Sequence, residues 1–390
     1  MEGDYIKINR WLRPLSFLYG LGVELRSQLF ELNILKSRSF TTPVISVGNI
    51  TVGGTGKTPH VEYLVRLLSN EAKVAVLSRG YKRKTHGYLL ADKDSTMRDI
   101  GDEPYQMKLK FPNIEVAVDA NRCEGIDHLI NDEQTKDTDV IILDDAYQHR
   151  YVKPGINILL VDYHRLIIYD ELLPSGRLRE PIESKKRADI VIITKCPDSL
   201  NPIDYRVLTK AMKLYAYQSL FFTSLHYGAP YLLFGGDETR VPKKQNSDVL
   251  LLTGIASPEQ MIDDVQPNVK SLKPLTFPDH HAFSPRDIEK INNAFAAMPQ
   301  ESRVILTTEK DAARLRNVSG LSEDVKQRLL VLPVEVKFML DGEEIFNDKI
   351  KSYVRKNSRN SILVKRKDDD KPKNSNNPGH RTRTISFRDN

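Results

Sequence analysis

The chain has very little cysteine or tryptophan: two Cys and one Trp in 390 residues. Cys123 and Cys196 sit in no Cys-x-x-Cys pair and no Cys/His cluster, which argues against a disulfide scaffold and a structural zinc site and suits a reducing compartment. No run approaches the ~18–20 apolar residues of a membrane-spanning helix. Arg10 and Arg13 precede a short apolar run, 15–23, much as in a leader peptide. Glu24, Arg26 and Glu31 then follow where a small-residue cleavage site would stand. The expectation is a cytoplasmic chain. Net charge is also small, with 58 Lys+Arg against 52 Asp+Glu, and it is unevenly placed. Residues 351–390 hold 12 Lys/Arg and 4 Asp, which leaves residues 1–350 at −2 of the total +6. A near-neutral body argues against a nucleic-acid binder, so no nucleic-acid partner is expected, and no obligate protein partner is evident either.

With 40% hydrophobic and 28% charged residues the composition is that of a globular protein, and ~150 residues per domain gives two or three domains. Residues 8–36 read as one amphipathic helix. Trp11, Leu15, Leu18, Gly22, Leu25, Leu29 and Leu32 stripe one face, with Lys7, Arg10, Arg13 and Arg26 on or beside it. Such a helix can lie in the interface of an anionic leaflet or pack on the body. Short Ile/Val-rich runs at 43–47, 73–77, 116–118, 140–143, 156–161 and 190–193 alternate with helical spacing, as in a parallel sheet covered on both faces. A second unit follows: strands at 249–252 and 304–307, helices from Pro258 and Lys310, and a return strand over 329–340. The predicted fold is α/β, a P-loop NTPase-type, mostly parallel sheet with helices on both faces, plus a smaller C-terminal α/β domain. The predicted division is 1–40 for the amphipathic, membrane-associating helix, 41–222 for the kinase domain, 223–350 for the smaller domain with its connecting strands, and 351–390 for a basic disordered tail.

The sharpest chemical signal is Gly48-Asn-Ile-Thr-Val-Gly53-Gly54-Thr55-Gly56-Lys57-Thr58-Pro59, set between an apolar strand and a helix. Glycines let backbone N–H groups turn toward phosphate oxygens, and the helix N-terminus adds partial positive charge. Lys57 would reach the β- and γ-phosphates and the Thr58 hydroxyl would ligate Mg²⁺. Thr51 stands where the usual spacing has glycine, so Gly53 and Gly54 are expected to supply the flexibility. A second apolar strand ends in Asp144-Asp145, where a carboxylate can hold Mg²⁺. On an extended chain these two side chains point to opposite sides, so only one faces the metal unless the backbone kinks. Arg79, Lys82, Arg83 and Lys84 form a basic cluster that reads equally as a solvated loop or as a contact for a phosphorylated headgroup. Thr194-Lys195-Cys196-Pro197-Asp198 is an imperfect guanine-specificity motif, with its Asp one residue late, and ATP is favoured over GTP. Residue types alone leave open a membrane-associated P-loop switch ATPase or GTPase.

The loop together with Ser78-Arg-Gly-Tyr81, Gly101-Asp-Glu-Pro104, Asp144-Asp-Ala-Tyr-Gln-His149, Leu173-Pro-Ser-Gly-Arg-Leu-Arg-Glu-Pro181, Asp279-His280 and Thr308-Glu-Lys-Asp-Ala312 resembles the tetraacyldisaccharide 4′-kinase family of Gram-negative bacteria. These blocks run in family order from about residue 43 to 313. The resemblance implies ATP- and Mg²⁺-dependent phosphorylation of the 4′-hydroxyl of a lipid disaccharide 1-phosphate in lipid A biosynthesis. It also implies a peripheral enzyme on the cytoplasmic face of the inner membrane. By the same resemblance Gly53, Gly54, Thr55, Gly56, Lys57 and Thr58 hold the nucleotide, and Thr58, Asp144 and Asp145 the metal. Asp102 matches the general base and His280 its dyad partner. Arg122, Gln148, His149, Arg179 and Glu180 match further active-site positions. Read alone, Asp102 suits a helix cap, and spacing does not choose between His280 and His281. Ala146 stands where the family usually has glycine, which leaves the backbone of that turn to be explained.

Overall fold

The computed structural model describes residues 8–235, 246–255, 258–279 and 281–357. A short 3₁₀ turn, Arg10–Leu12, leads into α1 (Arg13–Glu31), so the helix expected over 8–36 is shorter at both ends. Then come β1 (Val44–Gly48), α2 (Lys57–Leu68), β2 (Val74–Ser78), β3 (Leu89–Leu90), α3 (Met97–Ile100), α4 (Asp102–Lys110) and β4 (Glu115–Val118). The chain continues through α5 (Arg122–Asn131), β5 (Val140–Asp144), β6 (Ile156–Asp162), β7 (Ile190–Thr194), α6 (Pro202–Met212) and β8 (Ser219–Tyr227). The second unit holds β9 (Tyr231–Leu232), β10 (Asp248–Thr253), α7 (Glu259–Val265), β11 (Ser271–Thr276), α8 (Pro285–Ala296), β12 (Arg303–Thr308), α9 (Glu309–Leu315), α10 (Glu323–Arg328) and β13 (Leu329–Leu332). β14 (Val334–Phe338) and α11 (Gly342–Asn357) close the described chain.

A nine-stranded sheet runs β14-β8-β7-β6-β1-β5-β2-β4-β3, antiparallel only at its two edge pairs. A five-stranded sheet runs β11-β10-β12-β13-β9, antiparallel only at β13-β9. The inner strands β1, β2, β5 and β7 are buried along their whole length, as their unbroken Val/Ile/Leu runs require when helices cover both faces. The order reverses around β1: the chain passes from β1 to β2 on one side and later from β5 to β6 on the other. Ligands of open parallel sheets bind beside such a switch point, at the strands' carboxyl ends.

The run expected as one return strand over 329–340 is two strands in different sheets. Pro333, which has no N–H to give a ladder, separates β13 in the small sheet from β14 in the large one. The Gly228 N–H donates to the Pro333 carbonyl at 2.9 Å, so the outgoing and returning chains cross side by side. α11 then packs Phe346, Ile350 and Val354 into the core of the large sheet. The segment 223–350 is therefore shared between both sheets. Residues 351–357, expected in the tail, are the last turns of α11, and the rest of that tail lies outside the described residues.

α1 is amphipathic in an unusual sense. Trp11, Leu15, Phe17, Leu18, Leu21 and Leu25 are all exposed, Trp11 to 92%. The face toward the body is small and polar apart from Phe30, which is buried at its C-terminal end against Tyr151 and Arg150. The Ser16 hydroxyl donates to the Leu172 carbonyl at 3.0 Å and accepts from the Ser175 N–H at 2.8 Å. Arg150 donates to Ser27 Oγ at 2.7 Å, and a methyl group on Gly20 would meet Leu172 at 2.9 Å. Among the described residues no helix is long and apolar enough to cross a membrane.

Candidate active site

The functional candidates gather at the carboxyl edge of the large sheet, where β1 ends at Gly48, β5 at Asp144, β2 at Ser78, β6 at Asp162 and β7 at Thr194. Between Gly48 and α2 the loop is held along its length. Thr51 is buried and forms an antiparallel bridge with Leu178, the Val52 N–H donates to the Arg177 carbonyl, and the Arg179 N–H donates to the Ile50 carbonyl. An extended, bridged residue needs no glycine, which accounts for Thr51. The left-handed turns fall at Gly53 (φ 121°) and Gly56 (φ 79°), where a side chain would be strained. The Asn49 amide ties the base of the loop to Thr51 and Thr55, and Gln148 donates to the Asn49 carbonyl at 2.5 Å. A Cβ on Gly53 or Gly54 would project into open space, the room a phosphate requires.

Facing the loop, Lys57 Nζ lies 3.7 Å from Asp145 Oδ1, and Arg179 lies 3.7 Å from Asp145 Oδ2. Asp145 leaves the strand with φ 48°, so the backbone does kink, and the left-handed position falls on Asp145 rather than on Ala146. Asp can hold this conformation at modest cost because it is among the non-glycine residues that most often adopt it. Asp144 is buried. Burial first, then the Glu103 and Asp145 carboxylates, push its pKa well above the usual carboxylate range, against the pull of Lys57 and Arg122. Asp144 Oδ1 and Asp145 Oδ1 are buried without a hydrogen bond. Paired carboxylates with oxygens that accept no hydrogen bond beside a phosphate cradle fit Mg²⁺, which favours one or two carboxylates plus substrate phosphates. Thr58, on the first turn of α2, adds a hydroxyl. Among the described residues no cluster of three His, Cys, Asp or Glu forms a metal centre from protein groups alone.

Arg122 opens α5 and is 3% exposed; its guanidinium donates to the carbonyls of Asp119 at 3.0 Å and Ala120 at 3.2 Å, and burial lowers its pKa to about 10. His149 is lowered to about 4 by burial and by Arg122, Arg26 and Arg79, so its ring is neutral, and its Nε2 is buried without a partner. Glu180 is buried and accepts from Arg187 at 2.5 Å. Beside these residues, Arg79, Tyr81, Lys82, Arg83 and His86 line a cleft of about 420 Å³.

Asp102 is the first residue of α4, following Gly101, whose φ of 92° and 2.9 Å clearance to the Tyr81 carbonyl leave no room for a Cβ. Arg314 of α9 reaches across from the smaller unit and donates to Asp102 Oδ2 at 2.6 Å; its other arm meets the fully buried Asp311 at 3.0 Å. One turn earlier on α9, Lys310 pairs with Asp279 at 3.1 Å. One helix face thus anchors both Asp102 and the residue preceding His280. His280 itself lies outside the described residues. His281 is engaged elsewhere: its Nε2 is 3.0 Å from Asp287, in the capping box of α8, and its ring stacks on Phe277. Sequence reasoning missed Arg314, and also His60, Thr194 and Lys195, which touch the loop from below. Arg314 stands two residues beyond the Thr308–Ala312 block, and Thr194-Lys195 resembles, in sequence, only the start of a base-recognition motif.

A glycine-turned loop between strand and helix, facing paired carboxylates at the switch point of a parallel sheet, defines the class of P-loop nucleotide-dependent phosphotransferases. The profile of the tetraacyldisaccharide-1-P 4′-kinase (LpxK) family matches residues 8–355, and the chain belongs to that family. It is 56% identical over 363 residues to the tetraacyldisaccharide 4′-kinase of Phocaeicola vulgatus, covering 93% of this chain and 99% of that one. It is 50% identical to the Bacteroides fragilis protein of the same name, covering 94% and 99%. An "apo" form of LpxK from Aquifex aeolicus, solved in complex with ATP, superposes with a TM-score of 0.67 at 28% identity, over 89% of this chain and 99% of that one.

Proposed function

We propose that this chain transfers the γ-phosphoryl group of ATP to the 4′-hydroxyl of a tetraacyldisaccharide 1-phosphate, working as a peripheral enzyme on the cytoplasmic face of the inner membrane. The observation that carries this reading is the convergence of the phosphate loop, the Asp144-Asp145 pair and the α4 N-terminus bearing Asp102, with Glu103 close enough to act on Asp144. Lys57 neutralises charge on the β- and γ-phosphates. Mg²⁺, held by Thr58, Asp144 and Asp145, would supply further charge neutralisation on the phosphates. The 4′-oxygen attacks the γ-phosphorus, the bond to the β,γ-bridging oxygen breaks, and the hydroxyl proton passes to the Asp102 carboxylate. Arg314 fixes that carboxylate through Oδ2, and His280, by family resemblance, helps carry the proton away. The cleft residues Arg79, Tyr81, Lys82, Arg83 and His86 begin at the end of β2, two strands from β1 and hence about 10 Å from the loop. Among the described residues no acid lines the cleft, which suits it to the acceptor's 1-phosphate.

The outward stripe of α1 supports the membrane reading, because a leaflet is an environment that covers Trp11, Leu18 and Leu25 without unfolding anything. Mass spectrometry of a tetraacyldisaccharide 1-phosphate incubated with the protein, ATP and Mg²⁺ tests the function: the lipid should gain one phosphoryl group at the 4′ position. An unchanged lipid with free phosphate accumulating would instead identify a switch ATPase.

A further inference from the structure

The phosphate loop is gripped from behind by side chains that lie outside the sequence blocks quoted above for the family resemblance. In a trans peptide the C=O and the following N–H point in opposite directions. Fixing the carbonyls of residues 54, 55 and 56 therefore aims the N–H groups of Thr55, Gly56 and Lys57 the other way. Each of those three carbonyls has its own side-chain donor. Lys195 Nζ meets the Gly54 carbonyl at 2.5 Å, Thr194 Oγ1 donates to the Thr55 carbonyl at 3.0 Å, and His60 Nδ1 meets the Gly56 carbonyl at 2.7 Å. The Thr55 and Gly56 N–H groups meet no acceptor among the described residues.

The donors are themselves braced. Thr194 is fully buried at the end of β7. Lys195 takes a left-handed backbone (φ 58°), a conformation uncommon for lysine, and its ammonium also pairs with Asp162 at the end of β6, 2.8 Å away. The buried His60 ring has Thr223 of β8 on its far nitrogen at 3.1 Å. A carbonyl can only accept, so His60 Nδ1 donates to Gly56 and Nε2 accepts from the Thr223 hydroxyl. The incomplete Thr194–Asp198 motif also becomes intelligible. Its first two residues hold the loop, while Asp198 lies 3.2 Å from His226.

We propose that Thr194, Lys195 and His60 are positioning residues of the phosphate loop, a clamp on three consecutive carbonyls that presents three consecutive N–H groups to the β- and γ-phosphates of the nucleotide. Donors preset in this way need no reorganisation when charge arrives. The inference rests on the phosphotransferase reading only in requiring a nucleotide at the loop, and its test needs no lipid. Titration calorimetry with ATP and with AMP separates a defect in the phosphate cradle from general damage, since AMP has no β- or γ-phosphate. Thr194→Val removes the hydroxyl at nearly constant volume. It should weaken ATP binding roughly 10-fold, the effect of losing one buried hydrogen bond, with AMP affinity unchanged and the thermal midpoint lowered by no more than one such bond accounts for. Thr194→Ser should bind ATP like the parent. Lys195→Met, with the stem kept, should repeat the ATP-selective loss and guards against a Thr194→Val protein that fails to fold. Equal losses for ATP and AMP, or parental ATP affinity in both Thr194→Val and Lys195→Met, would overturn the clamp.

Discussion

Lys57 and Asp102 carry different chemistry and should fail differently. Lys57→Ala removes the fixed cation from the phosphates and leaves Asp145 with Arg179 alone, so phosphoryl transfer should be lost. Near-normal kcat would contradict the loop's role. Asp102→Ala should lower kcat by roughly 10²–10⁴, the usual worth of a general base, with ATP affinity intact. Arg314 keeps Asp311 as its partner in that variant, so the interface need not collapse. Loss of ATP binding in Asp102→Ala would make Asp102 a structural or metal-side group. The buried histidines make a prediction for stability. His60 is held near 4 by burial, below the 6.5 of an exposed imidazole, so the unfolded chain binds the proton first. The stability tied to a neutral His60 is complete above about pH 6.5 and declines as pH falls toward 4, by at most about 3 kcal/mol. Denaturation of the parent and of His60→Asn across that window should show a shallower slope for the variant. Equal slopes would mean that His60 titrates normally.

α1 shows what a helix can and cannot disclose. Its apolar stripe was legible in the spacing from Trp11 to Leu25, but periodicity says only that one face is apolar, not which way it points. The direction is set by Ser16, Gly20 and Ser27, whose small or polar side chains let the helix lie close against residues 148–175. Leu18→Glu with Leu25→Glu should therefore leave the thermal midpoint nearly unchanged, as surface changes do. Sedimentation with anionic phospholipid vesicles should fall sharply. A large drop in the midpoint would mean that the stripe packs on protein. The inner strands were legible because doubly covered strands are continuous apolar runs, and the loop because its glycines and Lys57-Thr58 are local. The switch of sheets at Pro333 was not, since Leu329–Leu332 and Val334–Phe338 are equally strand-like and only the tertiary pairing separates them. The same limit hid Arg314 and the loop clamp: nothing near Thr194 in sequence indicates that it ends beside Thr55.

Between the two units, Lys110 of α4 sits in a buried cluster. It pairs with Glu62 of α2 at 2.5 Å and with Glu309 of α9, while Gln106 donates to Glu62 at 3.1 Å. Burial and the neighbouring Glu309 push the Glu62 carboxyl above its usual range. Lys110→Met would leave the buried Glu309 carboxylate without its cation and Glu62 with Arg66 alone, 3.7 Å away, and should cost about 3–5 kcal/mol, read as a lowered thermal midpoint. An unchanged midpoint would mean that the units hold together without this cluster. The same α4–α9 contact carries Asp102 and Arg314, so the packing that joins the two units also holds the carboxylate proposed as the base. The central claim is that this site phosphorylates a lipid hydroxyl with Asp102 as base, and γ-labelled ATP tests it most directly. With Mg²⁺ and a tetraacyldisaccharide 1-phosphate, label should appear on the lipid and fall by roughly 10²–10⁴ in Asp102→Ala. Label released only as inorganic phosphate, or transfer undiminished in that variant, would contradict it.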